Sequence, residues 1–291
     1  MTPEILYEDR DIIVVYKPAG MGSQSGKSFS MDLCSYLKNR QAAQGVKNSY
    51  IGVVHRLDRM VAGVMVYAKT KEAAAGLSRQ VQSGQMKKYY KALLCGRLPQ
   101  PEGELVDYLL QDGRTNHSAV VKAGTAGAKE AKLTYRQIPK EELGCVLQNM
   151  SAQVVAGLHF VQDDEKEKRT GKLEDSSEVA IVQWKEGNGG ATVQSEKISC
   201  PEQSDKNVSG EQPDMVGSPE QMPVTGVEIH LLTGRHHQIR VQFSHRGTPL
   251  WGDTKYNPAF QGVRTAGVAL CAWRLAFCHP RTGKQMEFSL P

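Results

Sequence analysis

The pattern of hydrophobic and polar positions predicts strands and helices, with strands dominating. Residues 12–16 are a β-branched run that Pro18 and Gly20 end, which predicts a strand entering a loop. Residues 61–69 are a continuous apolar run, which is typical of a strand covered on both faces. Further strands are predicted at residues 5–7, 88–96, 132–138, 227–232, 237–244 and 267–275.

Two segments have the apolar spacing of helices. Residues 31–40 follow Ser28 and Ser30, either of which can cap a helix, and residues 70–82 begin with the capping residue Thr70. Helices and strands do not alternate regularly, so we do not expect a doubly wound parallel sheet. We predict an α+β domain built on a curved, mostly antiparallel sheet that is flanked by helices and loops.

Residues from about 151 to 223 break this pattern. They are rich in Glu, Asp, Ser, Gln, Gly and Lys, a composition that buries too little apolar surface to offset the entropy of ordering. We interpret them as a flexible acidic insertion in a single domain spanning residues 1–291. An auxiliary binding module is the alternative.

Charge divides along the same boundary. The net charge is +5, but residues 151–223 contain 14 acidic and 7 basic residues, whereas the remainder contains 17 acidic and 29 basic residues. The basic remainder favours a polyanionic partner such as nucleic acid, although charge alone indicates neither a base sequence nor a reaction.

Several classes of protein are not indicated. The first residues lack the basic and apolar regions of a signal peptide, and no stretch approaches about 18 apolar residues, so we expect a cytoplasmic protein without membrane association. The six cysteines show no zinc spacing, and no nucleotide-binding glycine motif appears. We expect a monomer, because no coiled-coil repeat is present, and neither a metal nor a cofactor.

The run His55-Arg-Leu-Asp58 places ionisable groups beside the predicted core strand 61–69. A buried carboxylate next to an arginine stays ionised at neutral pH, and such a group can act as a nucleophile or a base. For these four residues alone, a structural ion pair at a strand end is the favoured alternative.

A second cluster, Thr-Gly-Arg-His-His-Gln-Ile-Arg-Val, follows the predicted strand 227–232. After a glycine turn, Arg235 can point into a cleft and pair with a carboxylate or phosphate. Period-two alternation would put His237 and Ile239 on one face of the next strand. Gln238 and Arg240 would lie on the other, and a plain basic surface is the alternative.

A third candidate is the basic and aromatic strand that contains Tyr89 and Tyr90. A tyrosine can stack on a base or use its hydroxyl for proton transfer, although plain packing is the commoner role.

Together these segments closely resemble the RluA-type family of pseudouridine synthases. The matching segments, in order, are Ile5-Leu-Tyr to Lys17-Pro-Ala-Gly20, His55-Arg-Leu-Asp58 with Gly63, Lys88-Tyr-Tyr-Lys-Ala92, Leu232-Thr-Gly-Arg235 to Val241, Gly252-Asp253 with Tyr256, and His279-Pro280 with Phe288. Two positions depart from the family pattern: Val61-Ala62 stands where Thr-Ser is usual, and His236 where Thr is usual. These departures concern substrate preference and rate.

The resemblance implies a cofactor-free enzyme that isomerises uridine to pseudouridine in structured RNA, with ribosomal RNA favoured over transfer RNA. It assigns Asp58 as the nucleophile, Tyr90 as the active-site tyrosine and Arg235 as the basic partner of the carboxylate. The RNA-binding residues that we expect are Arg56, which would enter the stack where the uridine is flipped out, and His237, Arg240 and Lys17.

Two other functions remain open from the sequence. One is an RNA-binding protein or RNA chaperone that has lost catalysis on the same scaffold. The other is a glycosidic hydrolase with paired carboxylates, for which Asp253 is the candidate second acid beside Asp58.

Overall fold

The computed structural model describes residues 2–24, 31–161, 222–263, 265 and 267–291. Its strands are β1 (Glu4–Glu8), β2 (Ile12–Lys17), β3 (Gly52–Val53), β4 (Ala62–Ala68), β5 (Lys87–Cys95), β6 (Glu102–Asp112), β7 (His117–Val121), β8 (Lys129–Gln137), β9 (His159–Phe160), β10 (Pro223–Leu231), β11 (Leu270–Cys278) and β12 (Gln285–Ser289). Its α-helices are α1 (Leu33–Ala43), α2 (Lys71–Gln82), α3 (Gly144–Leu147), α4 (Ala152–Ala156) and α5 (Gln238–His245). Short 3-10 helices cover Lys140–Leu143 and Pro258–Phe260.

The strands in the described ranges form one open sheet in the order β1-β2-β4-β11-β5-β10-β8-β6-β7, with β3, β9 and β12 pairing beside this path. Neighbouring strands are antiparallel except β4 with β11 and β9 with β10, which are parallel. The sheet is thus mixed and mostly antiparallel, and the few helices pack on it. The predicted α+β fold class is confirmed.

Strands β2 and β4 are buried on both faces. On one face Val15 and Met65 belong to the same apolar cluster as Leu37 of α1, and on the other Val14 and Val66 pack with Leu77 of α2. All seven residues of β4 are buried, which explains its uninterrupted apolar sequence. Helix α2 begins as predicted, since the side chain of Thr70 accepts a hydrogen bond from the Ala73 N–H.

The segment predicted as a strand at residues 237–244 is instead helix α5. Its apolar residues Ile239, Val241 and Phe243 alternate as in a strand, and this alternation caused the error. All six residues from Gln238 to Phe243 are nevertheless buried. The intervening polar residues are buried because side-chain hydrogen bonds satisfy them; Gln242, for example, donates to the Asp107 carboxylate at 2.7 Å.

Two further details differ from expectation. Helix α1 is capped by Asp32, whose side chain accepts from the Ser35 N–H, while Ser28 and Ser30 lie outside the described residues. The hairpin β6–β7 was not predicted. β6 carries short apolar runs between charged residues and β7 has only five residues, so both strands give a weak period-two signal.

The predicted insertion falls mainly on residues 162–221, which lie outside the described residues, so its character stays a prediction. On its N-terminal side, β9 pairs with β10 and buries Phe160, so the chain is part of the sheet up to that point. None of the described helices has the length and apolar composition that crossing a bilayer requires.

Candidate active site

Asp58 lies on the segment between β3 and β4, at the edge of a large cleft. A tight turn holds it, because the Val61 N–H donates to the Asp58 carbonyl at 3.0 Å. The preceding residue, Leu57, is fixed by Ser23, whose hydroxyl donates to the Leu57 carbonyl at 2.8 Å and accepts from the Leu57 N–H at 3.1 Å. The Asp58 side chain is 28% exposed, so the carboxylate is held in place and still open to the cleft.

Lys17 lies in the protein interior next to this turn and does not line the cleft. Its side chain is fully buried and its Nζ donates to the carbonyls of Pro18, Met21 and Arg59 at 2.8–3.2 Å. Burial lowers the pKa of Lys17 to about 7. With no exposed surface, the side chain is not placed to contact RNA, which corrects the expectation of a substrate-binding role.

His55 also secures the segment. Its Nε2 accepts a hydrogen bond from the Val66 N–H at 3.1 Å, so the ring joins the segment to β4 as a neutral imidazole. Burial and the nearby charge of Lys88 lower the pKa of His55 to about 3, in agreement with the accepting nitrogen.

The basic partner of Asp58 is Arg240, and not Arg235 as the sequence suggested. Arg240 Nη1 donates to Asp58 Oδ2 at 3.1 Å. Its Nε and Nη2 donate to the two carboxylate oxygens of Asp253 at 2.8 and 2.7 Å. Asp253 is fully buried, and two further donors, the backbone N–H groups of Lys255 and Tyr256, fix it. Helix α5 turns Arg240 inward, so one guanidinium connects a buried carboxylate to a cleft carboxylate.

Arg235 is placed differently. Its side chain is exposed at the cleft, and its Nε donates to the Glu130 carbonyl at 2.7 Å. In this position the guanidinium belongs to the rim of the cleft, where a phosphate group can reach it.

The second basic group beside the carboxylate is His237, whose Nε2 lies 3.5 Å from Asp58 Oδ2. Burial and the neighbouring Arg240 lower the pKa of His237 to about 3, although the charge of Asp58 opposes this. The ring is therefore neutral. The usual threonine position of the family, His236, stacks on His237 with ring centroids 3.7 Å apart and shares a hydrogen bond of 2.8 Å with the Ser118 hydroxyl.

Tyr90 projects from β5 into the same cleft and is 6% exposed. Burial raises the pKa of Tyr90, and the negative charge of Asp58 raises it further. The hydroxyl thus stays protonated near neutral pH and can move a proton only in concert with a reacting group.

The cleft has a volume of about 1630 Å³ and carries a strongly one-sided charge. Among the described residues that line it, the only acidic side chain is Asp58. The basic side chains are Arg56, Arg59, Lys88, Lys129, Arg235, Arg240 and Lys255. This arrangement attracts a polyanion and leaves a single carboxylate for chemistry. It also argues against the paired-carboxylate hydrolase, because Asp253 is buried in its ion pair with Arg240.

A group with metal-ligand geometry lies elsewhere in the described residues, at Asp9, Asp11 and His279. Arg281 donates to both carboxylate oxygens of Asp11, and His279 Nε2 lies 2.9 Å from Asp9 Oδ2. These contacts join the β1–β2 turn to the β11–β12 turn as an ion-pair network.

Sequence reasoning missed Ser118, which hairpin β6–β7 brings to the cleft, and the anchoring roles of Asp253 and Tyr256. Tyr256 and Asp253 lie in a segment that the motif comparison included, but nothing in the sequence signals Ser118. Its position depends on the pairing of β6 with β7 and on the contact of β7 with α5.

Comparison with known proteins identifies the family. The family model described as RNA pseudouridylate synthase matches residues 11–245. The chain is 25% identical, over 100% of its length, to the uncharacterized RNA pseudouridine synthase YlyB of Bacillus subtilis (strain 168), covering 69% of that protein. It is 27% identical to ribosomal large subunit pseudouridine synthase D of Nitrosomonas europaea, covering 99% of this chain and 61% of the relative. The solved structure of human RNA Pseudouridylate Synthase Domain Containing 1 matches 100% of this chain and 83% of the human chain, with a TM-score of 0.59. The sequence identity is 18%, so this likeness shows the fold alone. The chain therefore belongs to the RNA pseudouridylate synthase family, and it is an enzyme that isomerises uridine to pseudouridine in RNA.

Proposed function

We propose that Asp58 is the catalytic carboxylate of this enzyme and that its substrate is a flipped-out uridine of ribosomal RNA. The observation that carries the proposal is the position of Asp58 as the single acidic lining residue of a basic cleft in the described part of the chain. Arg240 and His237 both face its Oδ2, so two basic side chains hold the carboxylate at the edge of the cleft.

The reaction balances within one nucleotide. The bond between uracil N1 and ribose C1' breaks, a bond between C5 and C1' forms, N1 takes up a proton, and C5 loses one. Asp58 can attack C1' of the ribose, attack C6 of the uracil, or assist elimination, and each route uses an ionised carboxylate. We assign to Tyr90 the relay of the C5 proton: its hydroxyl takes up this proton as it gives its own proton to N1, and the cleft around it limits the access of water.

The target base must leave its helix to reach Asp58, because a stacked base does not present its glycosidic bond to a side chain. Arg56 is exposed beside Asp58 and lines the cleft. We assign it to the gap that the flipped uridine leaves, and we assign the phosphate contacts to the basic residues of the rim, including Arg235.

Ribosomal RNA is supported by relatives. Proteins of Nitrosomonas europaea and of Buchnera aphidicola that match this chain are named ribosomal large subunit pseudouridine synthases D and C.

We further propose a monomer that acts in the cytoplasm. Exposed large apolar residues in the described ranges are few and scattered, which disfavours a large oligomer interface, and the described cysteines are free thiols, as in a reducing compartment. Light scattering after size-exclusion chromatography and cell fractionation test these two points.

The test of Asp58 compares three proteins on ribosomal and transfer RNA. We expect Asp58→Asn to abolish pseudouridine formation while RNA affinity stays within about threefold of the wild type, since phosphate contacts dominate affinity. The matched control is Glu287→Gln, the same change in charge at an exposed position of β12, which should leave activity unchanged.

Pseudouridine mapping in RNA from cells with and without the protein identifies the target. Pseudouridine formation by Asp58→Asn at the wild-type rate would reject the catalytic assignment. Lost modification only in transfer RNA would reject the ribosomal substrate. RNA binding by the wild type with no modification of any RNA would favour the alternative of an RNA chaperone.

A further inference from the structure

The backbone of His237 is unusual and points to a role for this residue. His237 has φ 53° and ψ 25°, a left-handed conformation that a non-glycine residue rarely adopts. Such a conformation costs free energy and persists where the surroundings fix it, often at functional sites. Here it lies at the N-cap of α5, immediately before Gln238, and the imidazole faces Asp58.

The surroundings fix the ring from its other side. His237 Nδ1 lies 2.8 Å from the Tyr256 hydroxyl oxygen. That oxygen also accepts a hydrogen bond from the Ser118 N–H at 2.9 Å. A backbone N–H can only donate, so the Tyr256 hydroxyl is left free to donate its own proton to Nδ1.

This chain of contacts determines the tautomer. If Nδ1 accepts from Tyr256, a neutral ring carries its proton on Nε2, the nitrogen that faces the carboxylate of Asp58. An Nε2–H directed at the negative carboxylate 3.5 Å away is favourable and a bare nitrogen lone pair is not, so both ends of the ring favour the same tautomer. A chain of contacts thus runs from the Ser118 N–H of β7 through the side chains of Tyr256 and His237 to Asp58.

We propose that His237 is a positioning residue that donates Nε2–H to Asp58, and that Tyr256, oriented by the Ser118 backbone, keeps it in this tautomer. The inference rests on the proposed catalytic role of Asp58. It replaces the expectation that His237 contacts the RNA. Together with Arg240, His237 fixes the carboxylate from two directions, so the same oxygen is presented to each incoming nucleotide.

A first experiment needs no RNA. Nitrogen-15 NMR of labelled histidine in the full-length protein reports the protonation of each ring nitrogen, and the missing signals in His237→Gln assign this residue among the 8 histidines. The groups that face His237 are Asp58, Arg240, His236, Lys255 and Tyr256. We expect a neutral, Nε2-protonated ring from pH 6 to pH 8.

In Tyr256→Phe, Nδ1 loses its donor and takes up a proton more readily, so the ring should begin to titrate at a higher pH than in the wild type. A ring protonated on Nδ1 in the wild type would overturn the proposal. Identical titration of His237 in the wild type and in Tyr256→Phe would overturn it as well.

The second experiment compares His237→Gln with His237→Met under single-turnover and steady-state conditions. The two side chains have nearly the same shape and the same backbone strain, but only glutamine can donate a hydrogen bond to Asp58. We expect kcat to fall about ten- to hundredfold in His237→Met and less than about threefold in His237→Gln, with KM for RNA unchanged.

Equal losses of kcat in both variants would overturn donation as the role of His237. An increase in KM at constant kcat would restore the role in RNA binding. A wild-type protein without activity would refute the proposed function, whereas the NMR result would still decide how His237 is held.

Discussion

Replacing Arg240 with methionine removes the guanidinium that joins Asp58 to Asp253. Three hydrogen bonds are lost, two to Asp253 at 2.8 and 2.7 Å and one to Asp58 at 3.1 Å. The bond to Asp58 contributes little to stability, because this partly exposed carboxylate is solvated by water. Asp253 has no exposed surface, so its charge is left buried without a counter-ion. Breaking a buried ion pair in this way costs about 3–5 kcal/mol.

Two backbone donors remain for Asp253 in the variant, from Lys255 and Tyr256, at 2.9 and 3.2 Å. We therefore expect a loss near the lower limit, about 3 kcal/mol at pH 8. The measurement is the free energy of unfolding from chemical denaturation, followed by tryptophan fluorescence.

The pH dependence gives an independent check. In the wild type, burial raises the pKa of Asp253, but the hydrogen bonds and charge of Arg240 outweigh this and hold it below its usual value. That stability is present above the unfolded-state pKa and is lost as the pH falls through the folded-state pKa. In Arg240→Met the pKa of Asp253 rises, so stability is lost as the pH rises. The loss in the wild type occurs below the usual pKa of an aspartate and is small at pH 5. The raised pKa in the variant is therefore what makes the difference between the proteins smaller at pH 5 than at pH 8.

The double variant Arg240→Met, Asp253→Asn tests the assignment of the energy to the buried charge. The asparagine oxygen can still accept from the two backbone donors, so removal of the charge should recover about 1–2 kcal/mol of the loss. If Arg240→Met lowers the free energy of unfolding by less than about 1 kcal/mol, the reasoning is refuted, because a broken buried ion pair should cost more. A larger loss at pH 5 than at pH 8, or no recovery in the double variant, would refute it too.

Two further predictions concern the scaffold. Gly63→Ala should destabilise the protein by about 2–4 kcal/mol, because Gly63 has φ +142° and a Cβ there would lie 2.4 Å from the Ala272 carbonyl oxygen. Thermal unfolding measures this, and Gly113→Ala, where a Cβ meets nothing within 4 Å, should change stability by less than about 0.5 kcal/mol. Lys17→Met should cost about 2–4 kcal/mol, because three carbonyl oxygens, one buried and two partly buried, lose their donor. Since burial lowers the pKa of Lys17 to about 7, the unfolded state binds more protons than the folded state above that pH. The stability of the wild type relative to Lys17→Met should then rise from pH 7 to pH 9, and a fall would contradict the assigned pKa.

The local sequence was sufficient to predict an element wherever its apolar residues followed the pattern of one kind of secondary structure. The apolar run of β4 and the cap and spacing of α2 predict their elements, because burial on two faces or on one helix face imposes a recognisable order of residues. It was insufficient for α5, where Gln238, Arg240 and Gln242 are buried polar residues that alternate with apolar ones. Their hydrogen-bond partners come from distant strands, and no local pattern reveals such partners.

The sequence by itself determined the family and the position of Asp58, because ordered motifs over most of the chain carry this information without the fold. Only the tertiary structure decided which arginine faces the carboxylate. Arg235 and Arg240 are five residues apart, and a strand or a helix at this point directs them to different places. Helix α5 buries Arg240 between Asp58 and Asp253 and leaves Arg235 on the rim. The contact of Ser118 with Tyr256 likewise joins residues 138 positions apart, and only the packing of β7 against α5 brings them together.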